Sequence, residues 1–314
     1  MIDFRYHLVS IISVFLALAV GIVLGAGPLQ ASLGDQLGDQ VAALRTEKQT
    51  LNDKLTTTEK VVDAAGEYAS AVQQRVVAGR LTGHRAVVVV LPSADGTMAT
   101  DLEEVVTQSG ATLSGTVNLS PDWFDPSQVG DREQAAREAA AALGIDSAAS
   151  GDALLVQVLT ELLASRSTAA ASPQRTAALR VLVDADLLDS SVADLAPADL
   201  AVIVSGDYSG TEAVVDGRSD AVRALAAALA RSTRSTVVAG GETLAAAGQP
   251  VTSDAVQAVR EKPETARAVS SVDHVRSGDG PAKVVLAIEG ALDERVGHYG
   301  VSAGATATVP RVLP

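Results

Sequence analysis

Apolar residues fill an unbroken stretch near the N-terminus, and their density predicts a membrane-spanning helix. Residues 8–26 read LVSIISVFLALAVGIVLGA, and no charged side chain occurs between Arg5 and Asp35. At about 1.5 Å per residue, such a stretch spans the roughly 30 Å hydrocarbon core of a bilayer. The alternative is a cleaved signal peptide, but its apolar region would be shorter, and a small-x-small cleavage site should follow it. We therefore predict a retained transmembrane anchor over residues 8–27.

The charges that flank this stretch predict its orientation. Arg5 precedes the span, whereas Asp35 and Asp39 follow it. The positive-inside rule then places residues 1–7 in the cytoplasm and the remainder of the chain outside the cell membrane.

A glycine pair within the span indicates a contact between membrane helices. Gly21 and Gly25 form a GxxxG spacing, which lets two helix backbones approach closely. The alternative is that glycine is simply common in transmembrane helices.

A heptad pattern follows the span and predicts a coiled coil over residues 33–79. Ten of the thirteen a and d positions are apolar. A repeat of 3.5 residues that persists over several heptads favours a left-handed supercoil. Lys48 at an a position favours two strands, so we expect a homodimer, with a higher homo-oligomer through the coiled coil as the alternative. The alternative is a single long helix folded back on the domain that follows. The predicted seam consists of Leu37, Val41, Leu44, Leu51, Leu55 and Val62.

Beyond the heptads, continuous apolar runs alternate with amphipathic segments, which predicts an α/β domain over residues 81–314. The β-branched runs at 85–91 and 200–204 are typical of strands buried on both faces of a parallel sheet. Further strands are predicted at 111–119, 236–239, 282–288 and, at an edge, 301–309, and helices at 97–109, 130–143, 151–164, 173–188, 216–231 and 253–260. The alternation indicates a doubly wound, flavodoxin-like or Rossmann-like, mostly parallel sheet. Residues 130–190 are a candidate helical insertion.

Composition narrows the chemistry of this domain. The 314 residues are 47% hydrophobic, which excludes a disordered chain, and the absence of cysteine excludes disulfides and thiolate metal ligands. Residues 81–314 carry 17 Lys and Arg against 30 Asp and Glu, a net charge of -13 out of -14 for the whole chain. So acidic a domain argues against nucleic acid as a partner.

Polar and glycine residues follow three of the predicted strands. Ligands of open α/β sheets bind at the carboxyl ends of strands, so these turns are candidate binding positions, although Gly and Asp at strand ends are more commonly turn formers. None matches a GxGxxG, Walker A or GxSxG motif, and no catalytic residues stand out, so we predict a protein without enzymatic activity. The three turns are Ser93-Asp95-Gly96, Ser205-Gly206-Asp207 and Gly240-Gly241-Glu242.

Few side chains outside the anchor are suited to a soft metal. Copper(I) favours thiolate and thioether sulfur, then imidazole nitrogen. The candidate metal ligands are Met98, His84, His274 and His298, and no two of the histidines have metal-ligand spacing. His298 lies in a glycine-flanked turn, where packing against the sheet is the common role of such a ring.

Both ends of the chain resemble one family. The start, with LVS at 8–10, VFLALA at 14–19 and GIVLG at 21–25, and the ending, VGHYG at 296–300, resemble the mycobacterial copper transport protein B family. The resemblance implies copper transport, copper as a possible bound metal, channel formation and association with the outer envelope of actinobacteria.

The order of parts supports a second hypothesis. An anchored coiled coil with an α/β domain at its end suits a scaffold or activator of cell-wall remodelling and cell separation. It would act through contacts with a cell-wall enzyme outside and a cytoplasmic partner protein at the N-terminus.

Overall fold

A computed structural model describes residues 4–166, 172–189, 195–240 and 251–311, with side chains described for all of these except 26–36 and 251. The chain divides into two compact units, residues 1–64 and 65–314. One helix, α1 (Phe4–Val77), runs from the first unit into the second.

The N-terminal part of α1 is long and apolar enough to cross a membrane. Residues Phe4–Gly25 have a mean hydropathy of 2.8, and none of them is buried inside the protein. This confirms the predicted apolar helix. The helix continues through the heptad segment, while its pairing with a second chain stays a prediction.

The second unit is an α/β domain. Its strands are β1 (Arg85–Val90), β2 (Thr112–Asn118), β3 (Leu200–Val204), β4 (Tyr208–Gly210), β5 (Ser235–Gly240), β6 (Val251–Ser253), β7 (Ser270–Asp273) and β8 (His298–Tyr299). Its helices are α2 (Gly96–Gln108), α3 (Val129–Leu143), α4 (Gly151–Leu163), α5 (Pro173–Asp184), α6 (Glu212–Ser232), α7 (Ala255–Glu261), α8 (Pro263–Ala266) and α9 (Gly280–Leu292).

Six strands form one parallel sheet in the order β2-β1-β3-β5-β7-β8, which confirms the predicted parallel α/β architecture. β4 and β6 form a separate antiparallel pair. Because successive side chains of a strand project to opposite faces of the sheet, β1 contributes core residues to both faces. Val87 and Val89 pack with residues of α3–α7, whereas Ala86 and Val88 pack with α2, α9 and Val77 at the end of α1. The sheet is therefore covered by helices on both faces, as in doubly wound folds.

The predicted strand at 282–288 is wrong: these residues belong to α9. The helix is buried on all sides, so it lacks the polar stripe that distinguishes an amphipathic helix from a buried strand. Pro281, in the first turn of α9, is the signal that the sequence did offer, because proline suits that position.

The C-terminal edge strand predicted at 301–309 is also wrong. The edge strand is β8, formed by His298 and Tyr299, and the segment after it contributes a single bridge between Tyr299 and Ala307. β7 was missed because its sequence, Ser-Ser-Val-Asp, is mostly polar, although all four residues are buried.

Candidate functional site

A cleft of about 300 Å³ lies at the carboxyl ends of β1, β3 and β5. From β1 the chain winds to β2 on one side, then returns to β3 on the other side of β1. The cleft therefore includes the point where the winding direction reverses, which is the usual ligand position in open α/β sheets. Its lining residues are Ser93, Asp95, Met98, Ser205, Gly206, Asp207, Gly240, Val275 and Arg276.

Close backbone packing fixes the floor of this cleft. Ser93 Oγ donates a hydrogen bond to the carbonyl oxygen of Gly206 at 2.9 Å. A Cβ atom on Gly206 would overlap the carbonyl of Ser93, and one on Gly240 would overlap the carbonyl of Ser205. Gly240 also has a positive φ of 156°, which favours glycine. These positions therefore require glycine for the two turns to meet.

A fixed carboxylate lies at the rim. Asp95 caps the N-terminus of α2, and its Oδ1 accepts hydrogen bonds from the hydroxyl of Thr97 at 2.7 Å and from the backbone nitrogen of Thr97 at 2.9 Å. These bonds, from the hydroxyl first and the backbone second, lower the pKa of Asp95. Arg276 approaches its other oxygen at 3.5 Å. The rim thus presents an ionised carboxylate at neutral pH, next to a guanidinium.

The structure brings together the three turns that the sequence offered as candidates. Most of their residues line the cleft, although Gly96 begins α2 instead, and Gly241 and Glu242 lie outside the described residues. Val275 and Arg276 were missed, because they follow β7, a strand that the sequence pattern did not reveal.

The four candidate metal ligands do not share one site. Met98 lines the cleft, whereas His84 precedes β1 at the opposite, amino-terminal edge of the sheet and contacts Asp199 Oδ2 through Nδ1 at 2.7 Å. His274 follows β7, with its Nδ1 2.9 Å from Asp273 Oδ1. Within the described part of the chain, no three His, Cys, Asp or Glu residues are grouped so that they could hold a metal.

His298 occupies a closed polar site in the sheet edge. Its Nε2 lies 3.1 Å from the carbonyl of Ala266 and its Nδ1 lies 2.9 Å from the hydroxyl of Ser271. A carbonyl only accepts, so Nε2 carries the proton and Nδ1 accepts from Ser271. Burial, with the nearby charge of Arg260 second, lowers the pKa of His298. Both ring nitrogens are engaged, so a metal would have to displace one of these bonds.

The glycines around His298 have a related structural role. Gly300 has a φ of 131°, and a Cβ atom there would overlap the carboxylate of Asp273. That carboxylate is fully buried and accepts hydrogen bonds from the backbone nitrogens of Val301 at 2.8 Å and Ser302 at 3.2 Å. The terminal Gly-His-Tyr-Gly segment is therefore shaped to close over Asp273.

Comparison with known proteins assigns the family. A family model described as copper transport outer membrane protein, MctB, matches residues 1–310. The chain belongs to this family. The match includes the apolar helix, the heptad segment and the α/β domain, so the family resemblance of the two ends extends through the middle of the chain.

Relatives of similar length carry the same family name. The copper transporter MctB of Mycobacterium tuberculosis (strain ATCC 25618 / H37Rv) is 28% identical over 315 residues, covering 97% of this chain and 98% of that protein. The protein of the same name from Mycobacterium leprae (strain TN) is 29% identical over 325 residues, covering 99% and 100%. Membership and one helix long and apolar enough to cross a membrane together indicate a copper-related envelope protein associated with a membrane.

Proposed function

We propose that this protein takes part in copper homeostasis as a single-pass membrane protein, without catalysing a reaction. Its N-terminus would face the cytoplasm and its α/β domain the envelope outside. The proposal is supported by the full-length relationship to proteins named copper transporters and by the apolar helix Phe4–Gly25.

The strand-end cleft is the position we propose for copper as cargo. Met98 contributes the chain's only thioether apart from that of Met1, and it lies with Asp95 and Asp207 around the same 300 Å³ space. Thioether sulfur suits Cu(I), whereas carboxylates suit harder cations. The observation that carries the proposal is therefore the position of Met98 in the cleft.

A copper titration tests this assignment. The full chain in non-ionic detergent micelles would be titrated anaerobically with Cu(I) against a chromophoric chelator. We expect Met98→Leu, which keeps the side-chain volume, to weaken Cu(I) binding by about tenfold or more, equivalent to about 1.4 kcal/mol. Asp207→Asn should weaken Cu(I) binding less than Met98→Leu, because it removes a nearby negative charge and not the soft ligand, while Asp101→Asn, an exposed carboxylate of α2 outside the cleft, should have no effect. A wild-type chain that takes up no Cu(I) would eliminate direct copper binding.

A specific observation favours a second candidate function, a coiled-coil scaffold that contacts cell-wall enzymes. All six predicted seam residues are between 45% and 64% exposed along one helix. Apolar side chains at a and d positions are buried when two such helices pair. Exposure of the whole seam in one chain therefore supports pairing with a second copy.

The oligomeric state tests the scaffold. Leu44→Asp together with Leu51→Asp should convert a dimer into a monomer, because two charges per chain would enter the seam. The matched control is Thr46→Asp with Gln49→Asp, which adds the same charge at outer heptad positions. Light scattering of the full chain in micelles, corrected for detergent, gives the mass. A monomeric wild type, or a seam variant that stays dimeric, would refute the pairing.

A further inference from the structure

A second concavity, of about 420 Å³, lies at the opposite end of the sheet from the cleft. It is formed where the chain enters β1, β2, β3 and β5, and we call it the arginine pocket. Its lining residues are Gly83, His84, Arg85, Thr112, Arg166, Pro197, Asp199 and Arg234.

Backbone hydrogen bonds hold the walls of the arginine pocket. The nitrogen of Arg234 donates to the carbonyl of Asp199 at 2.7 Å, and the nitrogen of Asp199 donates to the carbonyl of Arg85 at 3.0 Å. The nitrogen of Thr112 donates to the carbonyl of His84 at 2.9 Å. Because these bonds continue the sheet ladder beyond the strand ends, the side chains of the pocket start from fixed positions.

The one carboxylate of the pocket is occupied by groups other than the arginine side chains. Asp199 accepts from the backbone nitrogen of Arg85 through Oδ1 at 2.8 Å, and its Oδ2 lies 2.7 Å from His84 Nδ1. Arg166 donates through Nε to the carbonyl of Thr233 at 3.1 Å. Among the residues that the structure describes, neither Arg166 nor Arg234 forms an ion pair with a carboxylate.

The excess of basic side chains in this pocket is opposite in sign to the net charge of the whole domain. Residues 81–314 carry 30 acidic side chains against 17 basic ones, yet three arginines and one aspartate line this pocket. Like charges that share one concavity repel each other, and a bound anion removes that repulsion. The lining therefore holds more basic than acidic side chains, which favours an anionic ligand.

We propose that the arginine pocket binds a phosphate group, either free or as a phosphate monoester. Guanidinium groups bind phosphate and carboxylate through paired N–H donors. Phosphate suits this pocket better, because its terminal oxygens point in several directions and can be shared between the guanidinium groups of Arg166 and Arg234, whereas the two oxygens of a carboxylate lie in one plane. The inference is independent of the copper proposal, since it uses different residues at the other end of the sheet.

Calorimetry with inorganic phosphate and with glycerol 3-phosphate tests the proposal, using the full chain in zwitterionic micelles. We expect saturable binding of one anion per chain and a higher unfolding temperature in its presence. Arg166→Gln with Arg234→Gln should weaken binding by about tenfold or more, since charge-assisted bonds are lost. Arg166→Lys with Arg234→Lys should have an intermediate affinity, because the charges remain but the paired donors do not.

The matched control is Arg137→Gln with Arg180→Gln, an equal charge change at exposed positions of α3 and α5. Equal weakening in the control, or no saturable binding by wild type, would overturn the proposal. The fluorescence of Trp123 shows whether the double glutamine variant is folded. If it is not, the single variant Arg234→Gln, at an exposed position, must still lower the phosphate affinity. A short-chain phosphatidic acid that binds more tightly than glycerol 3-phosphate identifies a lipid headgroup as the source, whereas equal affinities identify a soluble phosphate.

Discussion

Replacing Arg260 by methionine should cost this protein much of its stability. The side chains of Arg260 and Asp273 are 3% and 0% exposed, and Arg260 Nη1 lies 2.6 Å from Asp273 Oδ2. Arg260 also donates to the hydroxyl of Ser271 at 2.9 Å and to the carbonyl of Tyr299 at 2.9 Å. Removing one partner of a buried pair leaves an uncompensated charge, which costs roughly 3–5 kcal/mol.

Urea unfolding of the full chain in micelles, followed by the fluorescence of Trp123, measures this loss. Trp123 is the chain's single tryptophan and is buried in the α/β core, so its signal reports this domain and not α1. The control is Arg137→Met, because Arg137 is 60% exposed in its pair with Glu133. Such a surface pair contributes about 0.5 kcal/mol or less. A loss in Arg260→Met no larger than in the control would refute the reasoning.

A double variant separates the charge from the packing. Arg260→Met with Asp273→Asn removes both charges, while the asparagine oxygen can still accept from the backbone of Val301. We expect the double variant to be more stable than Arg260→Met alone, because no unpaired charge stays buried. A double variant that loses the sum of the two single losses would show that the ion pair is not the coupled unit.

Three further predictions concern other parts of the chain. The pKa of His298 is lower in the folded protein than its ordinary 6.5, so the unfolded chain binds more protons just below that pH. The free energy of unfolding should therefore fall as the pH drops below 6.5, and His298→Gln should flatten this dependence in urea titrations at several pH values. Gly206→Ala should destabilise the folded domain by about 1–3 kcal/mol, because the new methyl group would overlap the carbonyl of Ser93. Gly217→Ala in α6, which has open space around it, should stabilise the domain by about 0.5–1 kcal/mol, and equal urea midpoints for the two variants would contradict this prediction. Gly21→Leu with Gly25→Leu should weaken self-association of the apolar helix in a bilayer reporter assay relative to Ala19→Leu with Val23→Leu on the opposite helix face, and equal signals would exclude the GxxxG contact.

The parts of the fold that the sequence predicted are those with one dominant local signal. Residues 85–91 and 200–204 are β-branched runs, and each contains a strand paired in parallel with the other. α9 was mistaken for a strand because burial on every side removes the helical stripe. β7 was missed because its polar residues are buried through tertiary bonds, such as that of Ser271 with His298, which no local pattern encodes.

The candidate site was predictable only in pieces. The turns after β1, β3 and β5 contain the Ser, Asp and Gly residues expected at a ligand cleft, so the sequence indicated each turn as a candidate binding position. Their convergence depends on strand order, and β1 lies beside β3 although more than a hundred residues separate them. The arginine pocket depends on the same order, because His84, Asp199 and Arg234 precede three neighbouring strands.

The number of copper ions bound per chain would show whether the copper site lies within one chain or requires two copies. Among the described residues of one chain no three His, Cys, Asp or Glu side chains are grouped so that they could hold a metal, so Met98 shares its cleft with only the carboxylates of Asp95 and Asp207 as further candidate ligands. A dimer supplies two copies of every ligand and halves the number that each chain must contribute. Binding of one Cu(I) per chain, lost in Met98→Leu, would place the ion in the cleft. Binding of one Cu(I) per two chains, abolished together with the dimer in Leu44→Asp/Leu51→Asp, would show that the copper site requires two copies held together by the heptad seam.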